Sequence, residues 1–266
     1  MPSLSAGPAA YERALTAAGL SEVTVFHRQT TGSTNDDARE MAASRLPLLE
    51  DAAAIFVAEA QTHGRGRGSN SWESPRGSIA LTVTAPGVEV ARLGVLPLGV
   101  GAVVAETLRR IGAQAFVKWP NDVLIEDRKV CGILCESSLL GGTARVFIGI
   151  GINVDGGSAD PEVAAEGTTL AAHGVSADRP ALVAELTARV LDLLRGRDSG
   201  EAIVERWKAV AAPWWGQEVA VVESGAPRRM VLLDVNPEGH LVARDEGGAV
   251  RTFLSGEVRH LRVSRT

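Results

Sequence analysis

Cysteine is nearly absent from this 266-residue chain, which holds only Cys131 and Cys135. A disulfide-framed secreted fold is excluded, and both thiols read as small buried hydrophobes of a reducing compartment. With no second Cys/His cluster beside them, a zinc site is excluded too. Positive charge is not in excess either. The formal net charge of −5 argues against a general nucleic-acid binder, while leaving room for a local cationic pocket. No uninterrupted apolar run is long enough to span a membrane. The most apolar stretch, residues 88–108, is broken by Arg92, Pro97 and three glycines, and reads as a buried core helix. The first ten residues lack a basic start followed by an apolar run. No targeting signal is visible, and a cytoplasmic location is expected. Internal repeats and low-complexity tracts are also missing.

What is present is ordinary globular material. The chain is 45% hydrophobic and 22% charged, enough for a sizeable core in one large and one small domain. A short helix is predicted over 11–19 and a strand over 23–28. Ser33-Thr34-Asn35-Asp36 offers cap oxygens and a first-turn acid to a helix over 38–44. Strands at 53–59 and 78–85 flank a glycine-arginine loop. A long apolar helix over 93–111 follows, then strands at 115–119, 123–125, 130–136 and 145–154, with turns at 126–128 and 141–142. Hairpins in this succession predict an α+β fold, a mixed but mainly antiparallel sheet with helices on one face. Asp178 as cap, Pro180 in the first turn and the stripe Leu182, Leu186, Val190 and Leu194 predict another helix. A further helix is expected over 201–211. After Pro213-Trp214-Trp215-Gly216 the pattern changes to short alternating strands at 218–223, 229–235, 240–245, 250–254 and 260–263. Turns rich in Gly and Pro separate them at 225–227, 237–239 and 247–248. This predicts a small C-terminal β-barrel, and a division into domains 1–213 and 214–266.

Two clusters carry the chemistry. In Gly64-Arg65-Gly66-Arg67-Gly68, followed by Ser69-Asn70-Ser71-Trp72, the glycines let backbone N–H groups approach a ligand. The arginines supply forked donors suited to phosphate, and Trp72 offers a flat face on which a base can stack. A nucleotide fits this description; a solvated basic loop fits the pentapeptide equally well. In Lys118-Trp119-Pro120-Asn121-Asp122, Pro120 fixes a turn at a strand end and aims a lysine, an amide and a carboxylate. These suit phosphate, a base edge and a magnesium ion, with a polar turn around a buried Trp as the alternative. Gly149-Ile150-Gly151 is no dinucleotide fingerprint, because the third glycine is missing and no helix clearly follows.

These clusters combine in order with Ser33-Thr34-Asn35, Gln61-Thr62-His63, Trp72-Glu73-Ser74-Pro75-Arg76-Gly77, Lys129-Val130-Cys131-Gly132-Ile133-Leu134-Cys135-Glu136 and Gly149-Ile150-Gly151-Ile152-Asn153-Val154. Together, over residues 25–175, they resemble the biotin–protein ligases. The resemblance implies a class II synthetase-like ligase core with an SH3-like C-terminal barrel. It implies biotin and MgATP as substrates, biotinyl-5′-AMP and pyrophosphate as first products, and transfer to one lysine of a biotin carboxyl carrier protein domain of a carboxylase. Carried over by position, Ser33, Thr34 and Gln61 bond the ureido ring, with Asn35, Gly64, Arg65, Lys129 and Gly132 completing the biotin site. Arg65, Arg67, Trp72, Lys118, Asn121 and Asn153 serve the adenylate, Trp72 covering the adenine and Asn153 reading its edge. Arg67, Lys129 and Asp122 are the catalytic set, with Asp122 the metal-side carboxylate for Mg²⁺. The cations offset the repulsion between biotin's carboxylate and the α-phosphate, and no covalent enzyme intermediate is needed.

Two departures from the family stand out. Many members continue the loop as GRGRRGR, whereas Gly68-Ser69-Asn70 stands here, which predicts a loop more mobile when empty. Some bacterial members carry an N-terminal winged-helix domain and repress transcription. Ser33 already belongs to the ligase pattern in this chain, so operator binding is not expected. No membrane partner is expected either, and the chain is expected to be a monomer or weak homodimer. A lipoate–protein ligase is the nearest rival, against which the GRGR loop and KWPND turn favour biotin. A non-catalytic sensor of biotinyl-adenylate is disfavoured by retention of Arg67, Asp122 and Lys129.

Overall fold

The computed structural model describes residues 6–44, 52–68, 70–155, 166–223 and 226–260. Its larger sheet has seven strands: β1 (Thr24–Arg28), β2 (Ala54–Ala58), β3 (Ile79–Glu89), β4 (Ala115–Lys118), β5 (Asp122–Ile125), β6 (Arg128–Leu140) and β7 (Thr143–Ile152). Their spatial order is β1-β2-β3-β7-β6-β5-β4. The β1–β2 pair is parallel and the other pairs are antiparallel. Parallel neighbours need a crossover, and helix α2 (Thr34–Ala43) lies within it.

Helices cover both faces of this sheet, a correction to the one-face expectation. Helices α1 (Pro8–Ala17), α3 (Leu96–Arg110), α4 (Arg179–Arg195) and α5 (Gly200–Lys208) gather on one side. There they bury Ile55, Val57, Leu81 and Ile148 in the main core. On the other side α2 sets Ala38 against Ala54, Phe56 and Phe147, and the Phe26 and Phe56 rings stack at 4.6 Å. The reason is local: β2 is apolar at every position, so alternation puts apolar side chains on both faces and both need cover. Full burial of one such phenylalanine is worth roughly 1.5–3 kcal/mol.

The Asp178 cap is realised, its carboxylate accepting from Ala181 N at 2.9 Å. Helix α5 stops at Lys208, short of the expected residue 211. Residues 210–212 instead run beside β4, with Val117 N donating to Val210 O and Ala212 N to Val117 O.

The second sheet holds β8 (Glu218–Val222), β9 (Arg228–Val235), β10 (Leu241–Asp245), β11 (Val250–Phe253) and β12 (Glu257–His260). It is antiparallel throughout, in the order β11-β10-β9-β8-β12, consistent with an SH3-like unit. Among the described residues no pairing joins β11 to β12. The last strand sits earlier than the expected 260–263, because Val258, paired with Val221, supplies the inward side chain. The remainder of that expected strand, the turn residue Gly225 and the loop residue Ser69 lie outside the described residues. Contacts that tie the second sheet to the larger unit include Trp119 Nε1, just past β4, donating to Gly239 O at 3.0 Å, and Lys208 of α5 pairing with Asp234 at 2.7 Å. Among the described residues no helix is long and apolar enough to cross a membrane.

Candidate functional site

A cleft of about 610 Å³ opens where the two sheets meet. Its walls are the first turn of α2, residues 61, 65–68 and 70–72, the 120–122 turn, β3, β6 and β7, and from the second sheet Val222, Glu223, Ser255, Gly256, Glu257 and Arg259.

At one end hydroxyls and amides are hydrogen-bonded to one another, with the carboxylate of Glu136 behind them. Thr34 N and Oγ1 donate to Gln61 Oε1 at 2.8 and 3.2 Å, and Gln61 Nε2 donates to Ser74 Oγ at 2.9 Å. Thr82 Oγ1 donates to Asn35 Oδ1 at 2.6 Å and lies 2.9 Å from Thr34 Oγ1. Asn35 Nδ2 donates to Glu136 Oε2 at 3.0 Å. Ser33, Thr34 and Asn35 are all buried here, and helix formation at Thr34 turns them toward the sheet. Sequence reasoning gave no role to Ser74, Thr82 or Glu136. Thr82 had a partial signal, since it and Thr84 are the two hydroxyls in the mostly apolar β3.

The other end is charged. Asp122, 7% exposed, receives Lys118 Nζ at 2.8 Å on one oxygen and Lys129 Nζ at 2.7 Å on the other. Burial acts to raise its pKa, but the two ammonium groups outweigh it and hold the carboxyl below the usual range. Magnesium is usually held by one or two carboxylates with substrate phosphates and water. Here both Asp122 oxygens are spent on lysines, and no cluster of three metal-ligating side chains occurs among the described residues. The donor set does not fit the metal-side role expected of Asp122, whose two oxygens instead hold Lys118 and Lys129. Arg67 Nη1 donates to Gly256 O at 3.3 Å, bridging the two sheets across the cleft.

Arg65 lines the cleft, and its guanidinium pairs with Asp36 at 2.9 Å and Glu136 at 2.5 Å. Two further expectations are corrected. Asn153 does not line the cleft; one residue past β7, its Nδ2 donates to Thr168 O at 3.1 Å and holds the 167–170 segment. Gly64 does not line it either, and its missing side chain makes room for Trp72, whose carbonyl a Cβ would meet at 2.3 Å.

Asn121 rims the cleft and bolts its turn to β6, Nδ2 donating to Ile133 O at 2.7 Å. The indole of Trp72 lies on Gly132 and Gly151, where added Cβ atoms would meet it at 3.0 and 2.2 Å. The group that approaches Gly132 closely is therefore this ring. Lys129 Nζ stands 5.3 Å from the ring centroid. Two cleft residues carry buried donors without partners, Trp72 Nε1 and Arg65 Nε. Such donors are costly when left unmade and are met by ordered water or a polar ligand. Burial pushes the Cys131 thiol up, and that of Cys135 up to about 12, which disfavours the thiolate of either at neutral pH.

Residues 27–153 match the family model described as the biotin/lipoate A/B protein ligase family. The biotin–[acetyl-CoA-carboxylase] ligase of Mycobacterium tuberculosis is 30% identical over 244 residues, 87% of each chain. The bifunctional ligase/repressor BirA of Escherichia coli K12 is 36% identical over 211 residues, 76% of this chain and 64% of that one. The chain thus spans just under two thirds of that relative's length. Among solved structures, the biotin protein ligase of Aquifex aeolicus in complex with biotin and ATP superposes with a TM-score of 0.72 at 25% identity. That match covers 89% of this chain and 99% of the other.

Proposed function

This chain belongs to the biotin protein ligase family, and from that premise we propose that it activates biotin with ATP and passes it to a carrier-protein lysine. The observation that carries the reading is the arrangement of the cleft, a hydroxyl and amide network of Thr34, Asn35 and Gln61 at one end and the Asp122-held lysine with Arg67 at the other. The end built from Ser33, Thr34, Asn35 and Gln61 suits an uncharged urea. The end built from Arg67 and Lys129, with Lys118 held behind them on Asp122, suits a carboxylate facing a phosphate. Trp72, seated on two glycines, supplies the stacking face for adenine.

In the first step a carboxylate oxygen of biotin attacks the α-phosphorus, and the bond to pyrophosphate breaks. Arg67 and Lys129 lower the repulsion between the two anions and stabilise charge developing on the phosphoryl oxygens. Asp122 holds Lys129 in place. In the second step the carrier lysine amine attacks the acyl carbon, loses a proton, and AMP departs as the C–O bond breaks. Magnesium, when bound with ATP, would screen the phosphates, with its ligands drawn from substrate and water. The carrier is a biotin carboxyl carrier domain of a carboxylase, and the proposed location is the cytoplasm. Residues 1–213 form the ligase domain and 214–266 a separate SH3-like domain.

The test is to incubate the chain with biotin, MgATP and an isolated carrier domain. A mass gain of one biotinyl group on a single carrier lysine is expected. No gain, or gain only with lipoate, would defeat the proposal.

A further inference from the structure

The loop carrying Arg65 and Arg67 is tied down by an ionic knot that lies apart from the cationic end of the cleft. Glu136 of β6 takes three donors: Asn35 Nδ2 at 3.0 Å, Arg39 Nη1 at 2.7 Å and Arg65 Nη2 at 2.5 Å. Arg65 Nη2 also lies 2.9 Å from Asp36 Oδ1. Helix α2, strand β6 and the loop therefore meet at one carboxylate. The Glu136 side chain is 18% exposed, so these pairs sit in a partly desolvated setting where screening is weak. Burial acts to raise its pKa, but the Asn35 hydrogen bond and the Arg65 and Arg39 charges outweigh it and keep it ionised at neutral pH.

Other ties on the outer part of the loop are weaker. Arg67 reaches Gly256 O only at 3.3 Å, and Gly66 N bonds Asn70 O within the loop itself. The glycines at 64, 66 and 68 give this segment little stiffness of its own. What the loop covers is chemically demanding. A mixed carboxylic–phosphoric anhydride is reactive, and any that escapes is lost to water or to stray amines.

We propose that Glu136 is a positioning residue whose pairing with Arg65 latches the loop over the cleft and sets how long the acyl-adenylate is retained. The inference rests on the ligase reading above, which supplies the adenylate. It assigns Glu136 no part in the adenylation step.

The test uses the full chain with E136Q and E136A. E136Q keeps the side chain's shape and removes its charge; D36N, at the solvent side of the knot, is the third variant should E136A not fold. Backbone hydrogen exchange over the loop is measured without substrates. Release of radiolabelled biotinyl-adenylate is measured from the preformed complex, and adenylation is followed by pyrophosphate exchange. Faster loop exchange is expected, with adenylate release at least about tenfold faster and a smaller loss in adenylation than in retention. Folded variants with unaltered loop exchange and release would overturn the latch. So would variants in which adenylation and retention fall together with thermal stability, since that is a purely structural role. If the parent shows no biotin-dependent adenylation, the ligase reading fails separately, and loop exchange in the unliganded chain still decides the latch.

Discussion

A carbon added at Gly151 would lie 2.2 Å from the indole nitrogen of Trp72. The G151A variant must therefore lift the ring from its seat. Nucleotide affinity is expected to fall at least about tenfold, with a shift in tryptophan emission; unchanged affinity would show that the ring is not the adenine platform. R67A and K129A are each expected to slow adenylation at least tenfold, about 1.4 kcal/mol of transition-state stabilisation, as read by pyrophosphate exchange. At this scale the residue types were readable because the chemistry demands them: Ser33, Thr34, Gln61, Arg67, Asp122 and Lys129 all reach one cleft. Their pairings were not readable. Arg65 and Arg67 are two apart in the sequence, yet one turns to Glu136 and the other to Gly256. That division depends on β6 and on the second sheet, which lie far away along the chain.

Elements were legible wherever hydrophobic periodicity was strong, as in α3, α4 and the strands of the large sheet. Which face each helix covers was not, because β2 is apolar on both sides and only the assembled sheet decides. One buried ion cluster shows how elements are locked around the site. Glu59, at the end of β2 with no side-chain exposure, accepts from Tyr11 at 3.3 Å, contacts His27 Nε2 at 3.1 Å and pairs with Arg179 at 3.1 Å. Arg179 Nη1 also lies 3.4 Å from Ser78 O, so one guanidinium spans both bases of the loop. Burial, helped by the Glu59 charge, raises the Tyr11 pKa and keeps that phenol protonated. Removing one partner of a buried pair is worse than removing both. R179M is expected to cost roughly 3 kcal/mol in urea denaturation, and the double variant E59M/R179M to recover much of it. Full additivity of the two losses would contradict the coupling.

For the whole molecule, the arrangement of the two sheets matters most. The second sheet closes one wall of the cleft through Ser255, Gly256, Glu257 and Arg259, and its Glu257 lies 3.8 Å from Lys118. The strand pattern after residue 213 announced this small sheet, but nothing in that pattern said that it would face the glycine-arginine loop. Acid stability integrates the charge arrangement. Asp122 and Glu136 both have carboxyl pKa values depressed on folding, so the unfolded chain binds protons first as the pH falls. Their stabilisation is complete above the unfolded values of about 3.9 and 4.3 and is lost as the pH drops through the lower folded values. The urea midpoint should fall steeply below about pH 4, and D122N/E136Q should flatten that slope. An equally steep slope in the double variant would place the acid sensitivity elsewhere.

The most direct test of the central claim is exchange of radiolabelled pyrophosphate into ATP, run with biotin and in parallel with lipoate. Exchange that depends on biotin alone is the predicted result. Exchange with lipoate alone, or with neither acid, would contradict it.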